Sequence, residues 1–560
     1  MAKRIAFVTY ETPYAPCGGI AAVMDRLPIA YQEETKLPVS VITPFHYNIK
    51  KTLEVEKDMN PVGEIILTYG GQNLRFSILR IFDRVEWIFL KCLDLPLEEP
   101  PLFSGLHHPY DLSQDRARNS QILLRDALLF GGGAAKSLRL LYPKESITLF
   151  LQDWEAATTA LAAATTPQKL SVYLILHNSY DSFASDEMLV RSGIDPTLIP
   201  GSTILTRSLP LVNKPVFTVS NQFAIDLVEE EILQSKVMAP HLSAALKSIL
   251  VGVNNGLFTD LSIPEEVLSC AEQGDFDPFS AWKMERRQSA LKVLDGLSHT
   301  HDGPIWGNPG RFTREDLPWF ILAGRDDSRQ KGYDIAYKAI DEALREGLPA
   351  CFIFFPIPGD EGLAGLNFLQ KLAEKHPDRV LVLPFIFREG YLITMQGATY
   401  GVIPSFYEPF GMVNEFYLKG SVGIGRATGG ILQQIVPYRQ VNCFNRSVSR
   451  RADRWYSEHT PPTGFLFREP DDLPGALDDW YIINEAKYNP DGSPDRVEQR
   501  SSLPVFKAMT HELKLCLFEA TDIYFNNRDL YHTLLINGVN YIRKNFSWNL
   551  TARAYHGFAS

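Results

Sequence analysis

The chain has 560 residues, which is too long for one ordinary core, so two or three domains are expected. Hydrophobic residues make up 45% and charged residues 22%, a composition typical of globular proteins. The formal net charge of −11 argues against a general nucleic-acid binder. No apolar run approaches the roughly 20 residues that a helix needs to span a bilayer, so no membrane span is expected.

The N-terminus predicts a buried strand and not a signal peptide. Residues 5–10 lead directly into a turn, without the longer apolar stretch and the small-residue cleavage site of a secretory signal. The six cysteines have neither paired nor metal-like spacing, which favours free thiols in a reducing compartment. We therefore expect a cytoplasmic protein.

Strands that alternate with helices predict a parallel, doubly wound sheet in the first part of the chain. A β-rich run at 4–10 is followed by the glycine turn Gly18-Gly19, a helical stretch at 21–31 and a second strand at 37–43. Further strands are predicted at 147–151, 172–176 and 216–219. We place this first domain at residues 1–250, with an insertion at about 48–130, where clear strands are fewer.

A second βα series predicts another doubly wound domain at residues 316–535. A polar connector at 251–315, with a helical piece at 279–297, separates it from the first domain. Its strands are predicted at 319–323, 350–355, 380–384, 401–404 and 422–424. Two such domains facing each other across a cleft would suit a nucleotide ligand, because the carboxyl ends of parallel strands line such a cleft.

The stretch 404–431 predicts a site for a sugar attached to a diphosphate. Gly411-Met412-Val413 opens a helical pattern, and a helix N-terminus with free amides and a positive dipole end receives phosphate. Just before it, the carboxylate of Glu408 can accept hydrogen bonds from sugar or ribose hydroxyls. About twenty residues further on, Thr428-Gly429-Gly430 gives a second turn, where backbone can approach a ligand closely.

Two cations follow the first strand of the second domain. Arg325 ends that strand and Lys331 begins the next helix, so both can converge on a diphosphate leaving group. A guanidinium offers a bidentate fork, and an ammonium offers a compact charge. Since these charges would neutralise a departing nucleoside diphosphate, we expect no metal and no other cofactor. Arg329 in the same loop is interpreted as a surface charge.

The EPFG motif is Glu408 to Gly411, and the TGG motif is Thr428 to Gly430. Together they resemble the donor-site signature of the retaining GT-B glycosyltransferases, and their surroundings resemble the glycogen and starch synthase family. The resemblance implies two Rossmann-like domains facing across a cleft. Arg325 and Lys331 are similar to that family's phosphate-binding element, and Gly18-Gly19 resembles its glycine-rich loop, which approaches the donor phosphate and the acceptor. The segment 545–548 resembles the family's closing helix, which implies that residues 536–560 cross back to the first domain.

The resemblance also implies a set of residues that line the sugar side of the cleft. Gln152 and Asp153 lie in a segment similar to the family's His-Asp-Trp-His, whose first histidine contacts the transferred sugar. His177 and Asn178 resemble an Ile-His-Asn turn at the next strand end.

Three positions depart from the pattern of that family or of the wider class. Pro16 stands where the synthases commonly have a lysine, and Gln152 can neither carry charge nor titrate. Many retaining GT-B enzymes hold the ribose with a second glutamate eight residues after the first. That position is Phe416 here, and Glu415 comes one residue early, a rotation of about 100° on a helix.

The function implied is a retaining hexosyltransferase that moves glucose from ADP- or UDP-glucose to the non-reducing end of an α-glucan. Its partners would be the nucleotide-sugar donor and the glucan acceptor, and Glu408, Arg325 and Lys331 would carry the catalysis. Two alternatives stay open. One is a retaining transferase for another polysaccharide or a glycoside, and the other is a catalytically weakened GT-B protein that binds sugar nucleotide or glycan as a regulator or partner.

Overall fold

The structure is a computed structural model, which describes residues 3–16, 18–94, 101–104, 116–164, 170–178, 180–234, 240–297, 303–312, 316–359, 362–485 and 496–559. The chain divides into two compact units. The first unit comprises Met1–Gly256 and Phe546–Ser560, and the second comprises Leu257–Asn545.

The strands of the described residues alternate with helices along most of the chain. In chain order the strands are β1 (Lys3–Val8), β2 (Val39–Pro44), β3 (Asn60–Tyr69), β4 (Gln72–Asp83), β5 (Val85–Cys92), β6 (Ser146–Gln152), β7 (Leu170–Leu176), β8 (Val216–Thr218), β9 (Leu250–Gly252), β10 (Trp319–Arg325), β11 (Cys351–Ile357), β12 (Val380–Val382), β13 (Tyr400–Ile403), β14 (Val422–Arg426) and β15 (Phe465–Phe467).

The helices range from single turns to more than six turns. They are α1 (Gly19–Thr35), α2 (Lys50–Glu56), α3 (Arg116–Leu141), α4 (Asp153–Ala164), α5 (Asp186–Arg191), α6 (Ile204–Ser208), α7 (Asn221–Glu229), α8 (Ser243–Leu246), α9 (Glu265–Glu272), α10 (Asp277–Leu297), α11 (Tyr333–Arg345), α12 (Asn367–Lys375), α13 (Arg388–Gly397), α14 (Val413–Leu418), α15 (Gly429–Gln434), α16 (Arg446–Ala452), α17 (Ala476–Glu485), α18 (Arg496–Arg500), α19 (Pro504–Asn526), α20 (Arg528–Asn545) and α21 (Trp548–Ala559). Within the described ranges, none of them is long and apolar enough to cross a membrane.

The first unit is built on one sheet with the strand order β3-β4-β5-β2-β1-β6-β7-β8-β9. The strands from β5 to β9 pair in parallel, whereas β3 with β4 and β4 with β5 pair antiparallel. In the parallel part, the strand order reverses between β1 and β6. Ligands of open α/β sheets bind at such a switch point, beyond the carboxyl ends of the strands.

The segment predicted as an insertion contains more strand than expected. Its described part forms α2 and the strands β3, β4 and β5, which extend the sheet of the first unit. In β3 buried and exposed residues alternate towards its end, the pattern of an antiparallel strand with one face solvated. The prediction of few clear strands at 48–130 is therefore wrong for residues 60–92. The strands there were missed because charged residues interrupt their apolar runs. Residues 95–100 and 105–115 of this segment lie outside the described residues.

The second unit has a sheet whose order is β12-β11-β10-β13-β14-β15, with every described pair parallel. This is the 3-2-1-4-5-6 arrangement of a nucleotide-binding doubly wound sheet, and its switch point lies between β10 and β13. Arg325 ends β10, and the turn that leads to Glu408 follows β13. Topology alone therefore brings the two predicted charge-bearing segments to one crevice.

A ladder of aromatic rings joins the central strands of each unit. In the second unit, Phe320 stacks on Phe352 and on Tyr400, with centroid distances of 5.1 and 4.9 Å. In the first unit, Phe150 stacks on Phe7 and on Tyr173 at 5.4 and 5.6 Å. Such cross-strand pairs fix the register of neighbouring strands. They consequently hold the strand ends on both sides of each switch point in place.

The last helix, α21, packs against the first unit, as the family resemblance implied. Tyr555 is buried against Phe150, with a centroid distance of 5.7 Å, and the Tyr31 hydroxyl lies 3.2 Å from Nδ1 of His556. Trp548 covers Gly256 so closely that a Cβ there would lie 2.4 Å from the Trp548 amide nitrogen. The change of unit comes at Phe546, because α20 runs on to Asn545 within the second unit, whereas the sequence analysis placed it at 536.

The segment predicted as a separate connector packs largely as part of the second unit. It contains the 8-residue helix α9 and the 21-residue helix α10. Helix α10 lies against α13 through the buried Arg287, which donates to the carbonyl of Gly397 at 3.1 Å and to the Thr399 hydroxyl at 2.8 Å. The first of these bonds satisfies the buried carbonyl at the C-terminal end of α13, which has no partner within its own helix. The polar character of residues 251–315 thus reflects helices with one solvated face.

Candidate functional site

An ion pair occupies the switch point of the second unit. Lys331 Nζ donates to Glu408 Oε2 at 2.7 Å, and the Ser405 hydroxyl donates to the same oxygen at 3.0 Å. Glu408 is only 5% exposed, so these donors take the place of water around its carboxylate. The two residues predicted as phosphate ligand and sugar ligand are therefore in direct contact.

A recess with about 300 Å³ of empty space lies over this pair. Its walls come from the last residues of β10 and β13, from the start of α11 and from the turn before α14, and they include Ala323, Tyr333, Ile403 and Met412. Arg325 ends β10 two residues beyond Ala323, at the same carboxyl edge of the sheet. The space enclosed by these walls is only about 20 Å³, which is roughly the size of one water molecule, so side chains must move before a larger ligand can enter.

The loop that carries Lys331 is braced by two buried ion pairs that the sequence analysis did not identify. Arg496 of α18 donates to the buried Asp326 at 2.9 Å, and Arg500 donates to Asp334 at 2.8 Å, with both of the latter side chains fully buried. Removing one partner from such a pair leaves an uncompensated buried charge, at a cost of about 3–5 kcal/mol. The two arginines of α18 thus hold the loop, while Lys331 of the same loop lines the recess.

The EPFG and TGG motifs lie against each other. The Gly430 amide donates to the carbonyl of Glu408 at 3.0 Å, and a Cβ on Gly430 would lie 2.3 Å from the carbonyl oxygen of Phe410. Gly411 has a φ of +83°, and its Cβ would meet the Glu408 side chain at 2.7 Å. These two glycines are therefore required by the protein's own packing around Glu408, whatever ligand approaches them.

The helix that follows Glu408 is short and held at its start. α14 spans Val413–Leu418, and the amide of Asn414 donates to Gln434 Oε1 at 2.9 Å. Gln434 Nε2 in turn donates to the carbonyl of Phe410 at 2.7 Å, which ties the two motifs together a second time. Of the residues predicted to offer amides here, Met412 lines the recess, and Val413 follows it as the first residue of α14.

A second cluster of predicted residues assembles at the switch point of the first unit. Asp153 follows β6 with a φ of +58°, and its Oδ1 accepts from the amides of His177 at 2.6 Å and Asn178 at 3.3 Å. Gln152 Oε1 lies 2.7 Å from His177 Nε2, and Gln152 Nε2 donates to the carbonyl of Phe150 at 3.1 Å. All four residues predicted on the sugar side of the cleft are therefore in one hydrogen-bonded group.

These contacts fix the chemical form of His177. Because the Gln152 amide nitrogen donates to Phe150, its oxygen faces the imidazole and can only accept, so Nε2 of His177 carries the proton. Burial lowers the pKa of His177 to about 3, which keeps the ring neutral. Gln152 is 1% exposed and uses both ends of its amide inside the protein. A contact from Gln152 to a sugar would need one of these bonds to be given up.

Two further carboxylates near Asp153 were not recognised from the sequence. Glu11, in the loop after β1, accepts hydrogen bonds from the amides of Gly18 and of Ala21, the latter at 3.1 Å, and thereby shapes the glycine loop. Glu155 is 4% exposed, and it stands at the position of the second histidine in the His-Asp-Trp-His segment of the synthase family. The only sequence signal for Glu11 was its place between a buried strand and a glycine pair.

The three buried carboxylates influence one another. Burial raises the pKa of Asp153 to about 8 against the two amide hydrogen bonds, and the charge of Glu11 raises it further. The pKa of Glu155 is also raised, by burial first and by the charge of Asp153 second. Burial therefore disfavours the charged forms of both Asp153 and Glu155 in the first unit.

Gly19 differs from Gly411 and Gly430. It is the first residue of α1, and a Cβ built on it would meet no atom within 4 Å. The packing of the first unit therefore does not require glycine at this position. Among the predicted glycines of the second unit, in contrast, Gly411 and Gly430 are both explained by close contacts.

Comparison with known proteins finds similarity to starch and glycogen synthases. Residues 4–235 match the family model described as starch synthase catalytic domain. A glycogen synthase from Fervidobacterium nodosum is 24% identical over 457 residues, covering 78% of this chain and 85% of its own length, and a glycogen synthase from Hydrogenobaculum sp. is 24% identical over 456 residues with the same coverage.

A solved structure matches the fold over the whole chain. The catalytic domain of starch synthase IV from Arabidopsis thaliana, bound to ADP and acarbose, superposes with a TM-score of 0.68 at 17% identity, covering 100% of this chain and 98% of that chain. The predicted α/β fold of the GT-B class, with two doubly wound parts, is thereby confirmed.

The raised pKa of Asp153 predicts a pH-dependent stability that the Asp153→Asn variant removes. An acid whose pKa is about 8 when folded and 3.8 when unfolded binds more protons when folded, so its contribution to stability is lost as pH rises through this window. Asparagine does not titrate. The unfolding temperature of Asp153→Asn, relative to the unchanged protein, should therefore rise from pH 5 to pH 8 in thermal scans. A constant difference across this range would contradict the burial of a protonated carboxyl there.

Proposed function

We propose that this glycosyltransferase, whose resemblance to the glycogen and starch synthases the comparisons confirm, transfers glucose from ADP- or UDP-glucose to the non-reducing end of an α-glucan. The observation that carries the proposal is the Lys331–Glu408 pair in the switch-point recess of the second unit. A cation and a carboxylate side by side suit a ligand that has a diphosphate and a hydroxyl-bearing sugar. The similarity to proteins named glycogen synthases supports a glucan product.

The diphosphate would be bound by exchange of partners. An arriving phosphate competes with Glu408 for the Lys331 ammonium and adds the amides of Met412 and Val413, while Arg325 lies at the same strand edge. Glu408 is then released to accept hydrogen bonds from hydroxyls of the sugar, with the Ser405 hydroxyl still on its Oε2 at 3.0 Å. Stabilising the developing charge of the leaving group lowers the barrier to its departure.

The transfer step proceeds with retention of the anomeric configuration. The acceptor hydroxyl oxygen forms a bond to the anomeric carbon as the bond from that carbon to the β-phosphate oxygen breaks. The acceptor proton passes to an oxygen of the departing diphosphate, so that the products are the extended glucan and the nucleoside diphosphate. In this scheme Lys331 and Arg325 bind the diphosphate and Glu408 orients the sugar. No side chain forms a covalent bond to the sugar. No metal or cofactor and a cytoplasmic location remain part of the proposal.

In this proposal the residues of the first unit contact the acceptor and shape the glycine loop. Gly19 leaves open space at the start of α1, which fits the close approach of a donor phosphate or an acceptor hydroxyl. The neutral His177, with its Nε2 proton held by Gln152, presents a fixed ring. The loss of charge at Pro16 and Gln152, compared with the family, is the reason to measure turnover directly.

The first test is release of nucleoside diphosphate from a panel of nucleotide sugars. We expect release from a glucose donor that depends on added glycogen or maltoheptaose, because transfer needs the acceptor hydroxyl. The same assay with a β-glucan or a sucrose acceptor separates an α-glucan synthase from transferases for other glycosides. If no donor of the panel releases nucleoside diphosphate but nucleotides still raise the unfolding temperature, the result would instead support a catalytically weakened binding protein.

Replacing Lys331 with alanine should lower kcat/KM by about 10²- to 10³-fold, because the leaving diphosphate loses a charge partner. Arg329→Ala is the matched control. Arg329 lies two residues away in the same loop, with its guanidinium 3.7 Å from Asp327, and its loss should change kcat/KM by no more than about threefold. Circular dichroism and thermal unfolding of both variants would check the fold. Equal rates in the two variants would contradict the role of Lys331.

Replacing Gly19 with alanine should reduce turnover without reducing stability. The new methyl group meets open space and alanine favours a helix by about 1 kcal/mol over glycine, so the unfolding temperature should hold or rise. A ligand that must approach the backbone there would be displaced, and we expect kcat/KM to fall by about tenfold or more. Gly557→Ala in α21, where a Cβ also meets open space, is the control and should leave kinetics unchanged. Unaltered kinetics in Gly19→Ala would remove the glycine loop from the proposed site.

A further inference from the structure

The side chain of Gln330 contacts the carboxylate of Glu408 from the loop that carries Lys331. Gln330 Nε2 donates to Glu408 Oε1 at 3.4 Å, whereas Lys331 and Ser405 donate to Oε2 at 2.7 and 3.0 Å. The amide nitrogen is the atom of Gln330 that faces Glu408, because a carboxylate would repel the amide oxygen. Each oxygen of the Glu408 carboxylate therefore has its own donor.

The backbone of Gln330 is bonded to the turn that carries Glu408. The amide of Phe406 donates to the carbonyl of Gln330 at 2.7 Å. Two residues further along the loop, Gly332 has a φ of +63°, and a Cβ on it would lie 2.3 Å from the carbonyl oxygen of Pro404. The two segments are thus in direct backbone contact, and Gln330 has a fixed place beside Glu408.

The turn is also held from its other side, by groups that do not involve the Gln330 side chain. The buried guanidinium of Arg426 donates to the carbonyl of Phe406 and to Glu469 Oε2, the latter at 2.9 Å. The Phe406 ring meets Trp480 edge-on, with a centroid distance of 5.3 Å. A substitution that changes only the side chain of Gln330 therefore leaves the turn supported.

The three donors are divided unequally between the two oxygens of Glu408. An ionised carboxylate has about four lone-pair sites, which is two on each oxygen. The bonds from Lys331 and Ser405 use the capacity of Oε2, whereas the longer bond from Gln330 leaves Oε1 able to accept a further donor. A sugar hydroxyl can consequently bind Oε1 without displacing Gln330.

A diphosphate that takes the Lys331 ammonium changes what holds Glu408. Oε2 then keeps the bond from Ser405, and Oε1 keeps the bond from Gln330. A carboxylate that is held at one oxygen can rotate about the bond to its side chain, whereas one donor on each oxygen fixes its plane. The bond from Gln330 therefore matters most at the moment when the ligand has removed Lys331.

We propose that Gln330 is a positioning residue that fixes the carboxylate plane of Glu408 while the diphosphate occupies Lys331. The inference rests on the proposed function, because it takes a sugar hydroxyl as the ligand of Glu408. Gln330 acts through Glu408 and needs no contact with the reacting atoms. Its loss consequently affects the sugar and leaves the diphosphate bound, since Lys331 and Arg325 stay in place.

The test measures binding and turnover of Gln330→Met, which keeps the length of the side chain and removes the donor. Isothermal titration without acceptor gives the affinities for ADP-glucose or UDP-glucose and for the matching nucleoside diphosphate. We expect the affinity for the nucleotide sugar to fall about fivefold, and the affinity for the nucleoside diphosphate to change by less than about twofold. The kcat with maltoheptaose should fall by about tenfold or more, because the sugar is less well oriented.

A merely structural role of Gln330 would give a different result. Lys331 is the next residue, so a displaced loop would weaken the nucleoside diphosphate as much as the nucleotide sugar. Gln370→Met is the matched control, because Gln370 of α12 donates to Glu374 Oε1 at 2.9 Å on the same unit. It should bind both ligands and turn over like the unchanged protein.

A double-mutant cycle with Glu408→Ala supplies a second readout. Because Gln330 acts through Glu408, adding Gln330→Met to Glu408→Ala should change the nucleotide-sugar affinity by less than about twofold. The same substitution in the unchanged protein should have its full effect. Circular dichroism and thermal unfolding check the fold of each variant.

Three results would overturn the proposal. These are equal losses of affinity for the nucleotide sugar and the nucleoside diphosphate in folded Gln330→Met, affinities and rates equal to those of Gln370→Met, or an undiminished effect of Gln330→Met in the Glu408→Ala background. Should Gln330→Met fail to fold, Gln330→Asn decides alone, because its shorter side chain does not reach Glu408. Unchanged nucleotide-sugar affinity in that variant counts against Gln330.

Acceptor-dependent release of nucleoside diphosphate separates this proposal from the proposed function. A sugar affinity that depends on Gln330, without such release, supports the positioning role and contradicts the transferase. Release with a sugar affinity that ignores Gln330 supports the transferase and contradicts the positioning role. A protein that binds neither nucleotide sugar contradicts both.

Discussion

The contact between Lys331 and Glu408 is the interaction on which the arrangement of the second unit's site depends. It lies where the order of the parallel strands reverses, with the cation on the loop after β10 and the carboxylate on the turn after β13. The loop side is held by the buried pairs of Asp326 with Arg496 and of Asp334 with Arg500. Because each buried charge needs its partner, the loop has little freedom to move Lys331 away from the recess.

The turn side is held by backbone contacts that only glycine permits. Gly411 and Gly430 pack against Glu408 and Phe410, and Gln434 joins both segments through its amide. The site therefore has its carboxylate fixed by packing and its ammonium fixed by electrostatics. A ligand that takes the ammonium leaves the carboxylate in place, which is the condition for one residue to bind phosphate while its neighbour binds sugar. Such preorganisation lowers the cost of binding and of charge development.

Much of the fold was predictable, because its signals are local. Strand and helix periods and the glycine turns predicted two doubly wound parts, and the EPFG and TGG motifs predicted the neighbourhood of Glu408. The parallel order of strands then brings Lys331 and Glu408 together although 77 positions separate them. What could not be predicted depends on contacts across the fold. The bond of Gln152 to His177 and the hold of Glu11 on the glycine loop join segments whose side-chain directions no local pattern encodes.

The β3–β5 extension was missed for a different reason. Its strands mix charged and apolar residues, since one face of an antiparallel strand is solvated, and the periodicity is weak next to the continuous apolar runs of the parallel strands.

The most direct test of the central claim is a crystal structure of the protein with the nucleoside diphosphate released in the transfer assay. The account predicts a β-phosphate oxygen about 3 Å from Lys331 Nζ, in the recess between the ends of β10 and β13, with Glu408 still bonded to Ser405. A diphosphate bound away from this recess, with the Lys331–Glu408 contact intact, would contradict it.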